Sequence, residues 1–481
     1  MTRPLHRSRC RLAVSLTALG LLAAAAAPDL ASAHGLVGKQ DLPIPRWLFA
    51  WGASIVLVAS FIGLAVLWPR PRLEHAPPRH RFTVPVVAEI VCGALGVGAF
   101  AAVVYAGFAG AQTATANLAP TVIYVIFWVG IPFLSVVVGD VFALFNPWRA
   151  IGRATGWLLR RSGAGAPEPM AYPAWLGRWP AVAGVLAFAW VELVYVNRDD
   201  PSILATMALA YAAIQLVGMS LFGVERWGRH GDAYGVYFRM FSLVSPVRWD
   251  GRRVQTRPPL SGATWLNPVP GTVALLCTMI GTTSFDGLSQ GQIWTGPNGI
   301  APRLQNSLIN LGFSQETALE IAFTIGLAAM VALISGLYRL GVIGMRSVGR
   351  EHDPSQLARR FVHSLVPIAI AYVVAHYFSL LIYQGQAMAY LVSDPLGDGS
   401  DLFGTAGRTI DYSLISATGV WYVQVGALVL GHVAGLALAH DRALVVYDDD
   451  PRQATRSQYW MLAVMVAFTS LGLWLLSAAA Q

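Results

Sequence analysis

The sequence predicts an all-α protein, a polytopic transmembrane helical bundle of about ten spans that follows a cleaved signal peptide. Of the 481 residues, 55% are hydrophobic and 12% are charged, and the mean hydropathy is +0.54. A soluble globule of this composition could not cover its apolar surface, so we expect the lipid bilayer to be the main partner. The sequence pI of about 9.6 does not indicate nucleic acid, because the arginines lie in short loops between apolar segments and no nucleic-acid-binding motif accompanies them.

The first 33 residues have the three parts of a secretory signal peptide. An apolar stretch over residues 12–26 is followed by the small-residue triplet Ala31-Ser32-Ala33, which fits the cleavage rule. The basic residues before the apolar stretch are Arg3, Arg7, Arg9 and Arg11. Cleavage after Ala33 leaves residues 34–481 as a single integral membrane domain that begins with His34. The alternative is an uncleaved first helix, in which case His34 has no free amine.

Ten apolar segments beyond that point are long enough to cross a bilayer, at about twenty residues each. They lie near residues 46–68, 84–108, 121–143, 179–196, 202–222, 268–285, 318–343, 361–382, 418–440 and 459–478. Lys and Arg number 23 in the five loops that follow odd-numbered spans, and 5 in the segments on the other side. This imbalance predicts a multi-pass protein of the cell membrane with an extracytoplasmic mature N-terminus.

Several shorter segments carry expectations of their own. Residues 227–253 are aromatic and basic, which predicts a helix that lies in the headgroup region. Residues 286–317 and 383–417 are rich in Gly, Pro, Asp and Gln without a period, so we expect ordered caps over the bundle. Asn146-Pro147-Trp148 predicts the end of a helix, with the Trp at the membrane interface. Four glycines in the ninth span predict close helix packing, namely Gly419, Gly426, Gly431 and Gly435.

Ionisable residues inside spans are costly in a bilayer and are therefore candidates for function. The helix rise, counted from the ends of the spans, separates the polar residues into two layers. The outer layer contains His34, Asp41, Glu192, Asp286, Glu320, His376, Gln384, Gln386 and Gln424. The inner layer contains Glu89, Asp140, His363, His432 and His440.

We expect the inner histidines to bond backbone or headgroups. They lie on two neighbouring spans, which also raises the possibility of haem ligation. The intervals are 13 residues from His363 to His376 and 8 residues from His432 to His440. This mismatch disfavours two stacked haems, and haem is not the cofactor we expect.

The outer layer contains the side chains of a metal site. A free N-terminal histidine at position 34 would present its amine and its ring Nδ1 to one ion, and His376 and Asp286 would complete a site for a divalent transition metal, Cu or Zn. An open coordination position would let the metal activate water, with Glu192 or Glu320 as the general base. The structural alternative is that His34 is simply a polar first residue and His376 bonds a neighbouring helix.

Four stretches of the sequence, and the pattern from His34 to the last span, resemble a family of actinobacterial polytopic membrane proteins commonly labelled fenitrothion hydrolase. The stretches are HGLVGKQDLPIP (34–45), GTTSFDG (281–287), HSLVPIAIAYVVAHYFSLLIYQGQ (363–386) and GHVAGLALAHDRAL (431–444). The resemblance implies hydrolysis of an organophosphorus triester at the membrane with release of a phenol, and it supplies no catalytic residues to carry over. An apolar small-molecule substrate of this kind would partition into the bilayer and reach the outer half of the bundle.

Two functions from different classes are therefore open. In the first, the protein is a metal-assisted hydrolase of organophosphorus esters. In the second, it is a non-enzymatic membrane protein that binds or transports copper through the same N-terminal histidine.

The signal peptide can be tested by the intact mass of the purified protein. We expect a chain that begins at His34, and Ala31→Arg should retain residues 1–33 because signal peptidase requires a small residue at that position. Gln40→Ala, beyond the cut, is the control and should leave processing unchanged. A wild-type protein that still carries residues 1–33 would show that the leader is not removed.

Overall fold

A computed structural model describes residues 46–74, 76–163, 168–346, 353–447 and 451–479. The fold is mostly helical. The helices are α1 (Arg46–Leu67), α2 (Val86–Ala109), α3 (Leu118–Val138, with a π-helical middle), α4 (Phe142–Phe145), α5 (Pro147–Arg161), α6 (Trp179–Leu193), α7 (Pro201–Phe222), α8 (Val224–His230), α9 (Ala233–Ser242), α10 (Thr272–Ser289), α11 (Gln292–Thr295), α12 (Ile300–Asn310), α13 (Gln315–Met345), α14 (Pro354–Phe361), α15 (Leu365–Gln384), α16 (Met388–Leu391), α17 (Ala417–Val446), α18 (Pro451–Ser457) and α19 (Tyr459–Ala479). The predicted signal peptide and His34 lie outside the described residues.

Six helical segments in the described part of the chain are long and apolar enough to cross a membrane. They are α2, α3, α7, α13, α17 and the continuous segment Pro354–Leu391, which contains α14 to α16. Each of the ten apolar segments found in the sequence coincides with a helix, the other four being α1, α6, α10 and α19. The protein therefore has the architecture of a multi-pass helical membrane protein.

The prediction of an all-helical protein was wrong in one respect, because the structure contains a three-stranded antiparallel sheet. Its strands are β1 (Arg79–Thr83), β2 (Val247–Asp250) and β3 (Arg253–Thr256), in the order β1-β3-β2. β2 and β3 form a hairpin, and β1 joins it from the segment that leads into α2. The hairpin has too few residues for its alternation to be visible beside the long apolar segments.

The prediction of a headgroup helix over residues 227–253 was also wrong. The segment instead contains most of α8, all of α9 and the β2 strand, and α9 lies in the protein core. Tyr237 stacks on Trp128 of α3 with ring centroids 4.5 Å apart, and Phe238 and Phe241 are fully buried. The aromatic residues that suggested a membrane interface therefore pack against neighbouring helices.

A buried carboxylate holds the chain segment that leaves α1. Asp441 of α17 is fully buried and accepts four hydrogen bonds, from Nε1 of Trp68 at 2.8 Å and from the backbone N–H groups of Arg72, Leu73 and Glu74 at 2.6, 3.0 and 3.0 Å. A carboxylate in an apolar environment needs such donors to offset the loss of water. Asp441 therefore fixes the segment between α1 and β1 against α17.

A second buried carboxylate organises the segment around α5 and α9. Asp232 accepts hydrogen bonds at 2.8 Å each from Nδ2 of Asn146, Nε1 of Trp148 and the hydroxyl of Tyr211, and one from the N–H of Gly235 at 3.2 Å. Burial raises the pKa of Asp232, and these hydrogen bonds act in the opposite direction. Pro147 begins α5 as predicted for a helix boundary, and Trp148 is only 4% exposed because it packs inside the protein.

The helices α15 and α17 approach each other closely at glycine. A Cβ atom added to Gly431 would lie 2.2 Å from Cβ of Ala371 and 2.8 Å from the carbonyl oxygen of Pro367, and one added to Gly435 would lie 3.0 Å from the carbonyl oxygen of Ser364. The predicted close packing is thus confirmed at these two glycines. It was wrong at Gly426, which has no described atom within 4 Å of such a Cβ, and at Gly419, which meets only the residues of its own helix cap.

Gly431→Val should destabilise the bundle, because the added side chain must push α15 and α17 apart. Overpacking of this kind costs about 1–3 kcal/mol or more of unfolding free energy. Gly426→Val is the matched control and should unfold at the wild-type temperature. Thermal unfolding of the two variants in detergent measures the difference, and equal losses would contradict the close approach of the two helices.

Candidate functional site

His376 and Asp286 form a direct pair between α15 and α10. Nε2 of His376 lies 2.8 Å from Oδ2 of Asp286, and the two side chains are 19% and 9% exposed. Asp286 lies near the C-terminal end of α10 and His376 in the second half of α15, so both residues belong to the same end of the bundle. Two residues that are 90 positions apart in the sequence therefore meet in one polar site.

The Asp286 carboxylate has further polar neighbours. The hydroxyl of Tyr377 and the side-chain amide of Gln290 lie near it and stabilise its charge. Tyr377 is itself buried and follows His376 directly on α15. Neither Tyr377 nor Gln290 was predicted to be a site residue. Tyr377 directly follows His376 and Gln290 lies four residues after Asp286, and this spacing is the signal that could have identified them.

The geometry of the pair is that of a hydrogen bond. Two ligands of one tetrahedral zinc or copper ion with bonds of about 2.0 Å are about 3.3 Å apart. The 2.8 Å separation between His376 and Asp286 is shorter and matches a charge-assisted hydrogen bond. In this arrangement Asp286 orients the imidazole through Nε2 and leaves Nδ1 as the ring nitrogen that faces outward from the pair.

Nδ1 of His376 accepts or donates no hydrogen bond within the described part of the chain. Gly287 lies beside this side of the ring, and an added Cβ would lie 3.7 Å from Nδ1 and 3.9 Å from Cε1 of the ring. Because Gly287 has no side chain, it places no Cβ against Nδ1. A metal ion, a water molecule or the reacting atom of a substrate would approach His376 from this side.

Glu192 of α6 is the second carboxylate of the site. It interacts electrostatically with the carboxylate of Asp286 and with the hydroxyl groups of Tyr237 and Tyr377. The indole of Trp128 faces the Glu192 carboxyl, yet its buried Nε1 makes no hydrogen bond of standard geometry with the described residues. A buried donor without a partner is costly and marks a place where a water molecule or ligand would be stabilised.

Glu320 lies at the same end of the bundle but has a different local role. It belongs to the second turn of α13, and its Oε1 accepts a hydrogen bond from the backbone N–H of Val196 at 3.3 Å. This contact ties α13 to the loop that follows α6. Glu320 is absent from the groups that interact with Asp286 or Glu192, so the structure brings one of the two candidate bases into the site.

Gln384 and Gln386 of the outer layer contact a cap over the bundle. Gln386 exchanges two hydrogen bonds with the backbone of Asp411, at 3.0 and 3.1 Å, and Nε2 of Gln384 lies 3.4 Å from the hydroxyl of Tyr412. Of the predicted cap over residues 383–417, residues 392–416 are ordered without a helix and residues 383–391 are helical, whereas the other predicted cap, residues 286–317, is largely helical. His34 and Asp41 lie outside the described residues.

No metal cluster is formed by the described residues alone. Within the ranges that the structure describes, no group of three or more His, Cys, Asp or Glu side chains is placed to hold a metal ion. The predicted set of His34, His376 and Asp286 therefore depends on the segment that contains His34. His376 and Asp286 by themselves supply two of its three residues.

The inner layer has a structural role. Nδ1 of His432 lies 2.7 Å from the carbonyl oxygen of Leu428, and Nε2 of His440 lies 3.1 Å from that of Trp68. The prediction that the inner histidines bond backbone is confirmed for these two, whereas the buried Nε2 of His363 has no hydrogen-bond partner among the described residues. Asp140 pairs with Arg239 at 3.1 Å, and Glu89 pairs with Arg153 and lies 3.7 Å from Arg149.

The fold and the site together define a multi-pass helical membrane protein with a buried histidine–carboxylate pair at one end of its bundle. Comparison with known proteins adds no family to this class, because no family model, curated protein or solved structure matches the chain.

The pair should show strong energetic coupling in a double-mutant cycle. Either His376→Gln or Asp286→Asn leaves a buried polar group without its partner and should lower the unfolding free energy by about 3 kcal/mol. The double variant should lose less than the sum of the two, because one loss already removes the hydrogen bond. Denaturant unfolding in detergent measures the four free energies.

The half-exposed ion pair of Arg153 and Glu225 is the control for this cycle. Its two groups are 41% and 51% exposed, so a coupling below about 1 kcal/mol is expected. Additive losses for His376→Gln and Asp286→Asn would show that the two side chains are not paired in the folded protein.

Proposed function

We propose that this protein is a membrane hydrolase of apolar organophosphorus esters, and that His376, Asp286 and Glu192 carry its chemistry. The single observation that supports this most directly is the 2.8 Å contact between His376 and Asp286, with Nδ1 of the same imidazole beside Gly287. The resemblance of residues 281–287 and 363–386 to the fenitrothion hydrolase family includes both members of the pair. The pair therefore lies within two of the stretches that carry the resemblance, and its proposed role rests on the geometry.

The pair has the arrangement of a general base. Asp286 accepts a hydrogen bond from Nε2–H, so a neutral His376 carries its lone pair on Nδ1. In hydrolysis of a phosphotriester, Nδ1 takes a proton from water while the water oxygen forms a bond to phosphorus. The bond between phosphorus and the aryl oxygen breaks, and the aryloxide leaves with the electron pair and takes a proton from solvent. Asp286 stabilises the imidazolium that forms, as the carboxylate does in a serine protease triad.

Glu192 is the second proton-accepting group of the site. Its carboxyl is close enough to Asp286 for the two to interact, and the unpartnered Nε1 of Trp128 lies beside it. A water molecule at this place would receive a hydrogen bond from Trp128 and donate one to Glu192. We assign Glu192 the role of holding the attacking water, and we assign Glu320 no role in the chemistry because its carboxylate binds the backbone at Val196.

A divalent transition metal would use the same Nδ1 lone pair, so a metal-bound site would need Glu192 rather than His376 to take the proton from water. His376 would bind the metal through Nδ1, with Asp286 holding the ring from the other nitrogen. The amine and imidazole of a processed His34 would supply the further ligands. The metal, when bound, would lower the pKa of a coordinated water and polarise the phosphoryl oxygen.

The topology suits an apolar substrate. In this proposal the chain loses residues 1–33, spans the cell membrane ten times and has the His376 end of the bundle on the extracytoplasmic side. The distribution of Lys and Arg, 23 in the loops of one side and 5 on the other, supports this orientation. A phosphotriester concentrated in the bilayer would then reach the site from the outer leaflet. Phe285 and Trp294, which are buried near this end, supply apolar surface beside Asp286.

A non-enzymatic copper-binding function is the second candidate, and the tight packing of the site favours it. Asp286 is 7% exposed and Tyr377 is 5% exposed, which leaves more room for an ion than for a triester. In this case the same Nδ1 and the N-terminal histidine would hold copper without turnover.

One set of measurements separates the two functions. Purified full-length protein in lipid should release the phenol from fenitrothion, and a chelator should stop the release; His376→Gln and Asp286→Asn should lower the rate at least a hundredfold. Gly287→Ala should also reduce it, since the new methyl group covers Nδ1 at an ordinary contact distance and leaves the hydrogen bond to Asp286 in place. Glu320→Gln is the matched control and should retain the wild-type rate.

Copper binding by equilibrium dialysis completes the test. Tight copper binding without release of phenol, lost in His376→Gln, would replace the hydrolase with the copper-binding function. If the protein neither releases phenol nor binds copper, both functions are excluded.

A further inference from the structure

The three-stranded sheet has one face turned toward the helical bundle. Phe82, Val254 and Trp249 are paired across the strands and form one apolar row, in which Val254 and Trp249 pack toward the bundle and Phe82, at the edge, is exposed. Val254 is 5% exposed, and Nε1 of Trp249 donates a hydrogen bond to the carbonyl oxygen of Val138 at 2.7 Å. Because Val138 is the last residue of α3, the sheet is attached directly to the end of a helix that could cross the membrane.

The short link between β1 and α2 places β1 at the depth of the first turn of α2. β1 ends at Thr83 and α2 begins at Val86, so the two elements are joined by a link that spans about 10 Å at most. Val86, Val87 and Ile90 are 52%, 69% and 65% exposed at the beginning of α2, where lipid is the natural cover for an apolar surface. Phe82 of β1 is 57% exposed and extends this apolar surface onto the strand. β1 therefore lies at the boundary between the acyl chains and the headgroups.

The charge of the sheet is strongly positive. Its strands and the turn between β2 and β3 contain one acidic residue, Asp250, against the five basic residues Arg79, Arg81, Arg248, Arg252 and Arg253. Arg248 stacks over the ring of Trp265, and Arg252 binds the carbonyl oxygen of Val84 at 3.1 Å and approaches Glu89 at 3.9 Å.

Four of these arginines have no carboxylate partner among the described residues, and three of the four, Arg79, Arg81 and Arg253, also lack the ring contact that Arg248 makes. Nε of Arg81 donates a hydrogen bond to Oγ1 of Thr256 at 3.0 Å, which orients its guanidinium and leaves its terminal nitrogens without a hydrogen bond among the described residues. Arg79 and Arg253 are exposed. β1 is also an edge strand, with every residue exposed, so its outer backbone N–H groups are open to an acceptor.

We propose that β1 and the adjacent end of β3 bind the phosphate headgroups of anionic phospholipids. A guanidinium binds phosphate oxygens in a planar, two-pronged geometry, and basic residues beside a membrane span attract anionic lipids by about 1 kcal/mol each, or about fivefold in affinity. The depth of the sheet selects a lipid over nucleic acid, because Phe82 and the first turn of α2 surround the arginines with an apolar surface. This surface is at the opposite end of α2 from the loop that contacts Leu396, and it is independent of the His376 site.

The test is binding of phosphatidylglycerol to the purified full-length chain in micelles, measured by native mass spectrometry. We expect the wild type to retain phosphatidylglycerol in preference to phosphatidylcholine, and Arg79→Gln with Arg253→Gln to bind it about 25-fold more weakly. Arg303→Gln with Arg408→Gln is the matched control, because these two arginines are exposed at the other end of the bundle. The control should bind phosphatidylglycerol as the wild type does.

Three further measurements decide between sources of phosphate. Equal competition by inorganic phosphate would overturn the lipid assignment, as would binding of a labelled oligonucleotide that phosphatidylglycerol does not displace. Unchanged affinity for phosphatidylglycerol in the Arg79 and Arg253 variant would overturn the proposal outright. Arg79→Gln and Arg253→Gln are also measured singly, in case the double variant misfolds. Each single variant should bind phosphatidylglycerol about fivefold more weakly.

Discussion

A charge buried among apolar helices must find donors within the protein, and this requirement explains the arrangement of the loops in this structure. Asp441 and Asp232 are both fully buried, and each accepts four hydrogen bonds from groups that are distant in the sequence or on a neighbouring segment. The two carboxylates hold the segment after α1 and the segment before α5 in single positions. The sheet forms between these held segments, since β1 follows the first and β2 follows α9, which begins beside Asp232.

Asp286 also needs a donor within the protein, but its donor is of a different kind from those of Asp441 and Asp232. This difference distinguishes a candidate functional site from a purely structural contact. Its direct partner is an imidazole with a second nitrogen, and that nitrogen lies beside Gly287. The donors of Asp441 and Asp232 are mainly backbone, indole, amide and hydroxyl groups that have no remaining chemistry to offer. A buried histidine–carboxylate pair can accept a proton or bind a metal, and Glu192 adds a second carboxylate beside it.

Much of the architecture could be predicted from apolar length alone. All ten segments coincide with helices because a run of about twenty apolar residues satisfies its own backbone only as a helix. The alternation of apolar and polar residues was a weaker guide to the strands, because β2 and β3 have only four residues each. The pairing of β3 with β1 also joins parts of the chain that are more than 160 residues apart. Aromatic and basic composition misplaced α9, because the same residues suit a membrane interface and a packed core.

The sequence by itself determined the helical segments, the cap over residues 392–416 and the presence of His376, Asp286 and Glu192 near the same ends of their helices, because hydrophobic length and helix rise are local properties. Only the tertiary structure decided which of these polar residues meet. It joined His376 to Asp286 through Nε2, placed Glu192 beside them and tied Glu320 to the backbone at Val196. The physical reason is that such contacts depend on how α6, α10, α13 and α15 pack and rotate against one another, and apolar composition does not encode those rotations.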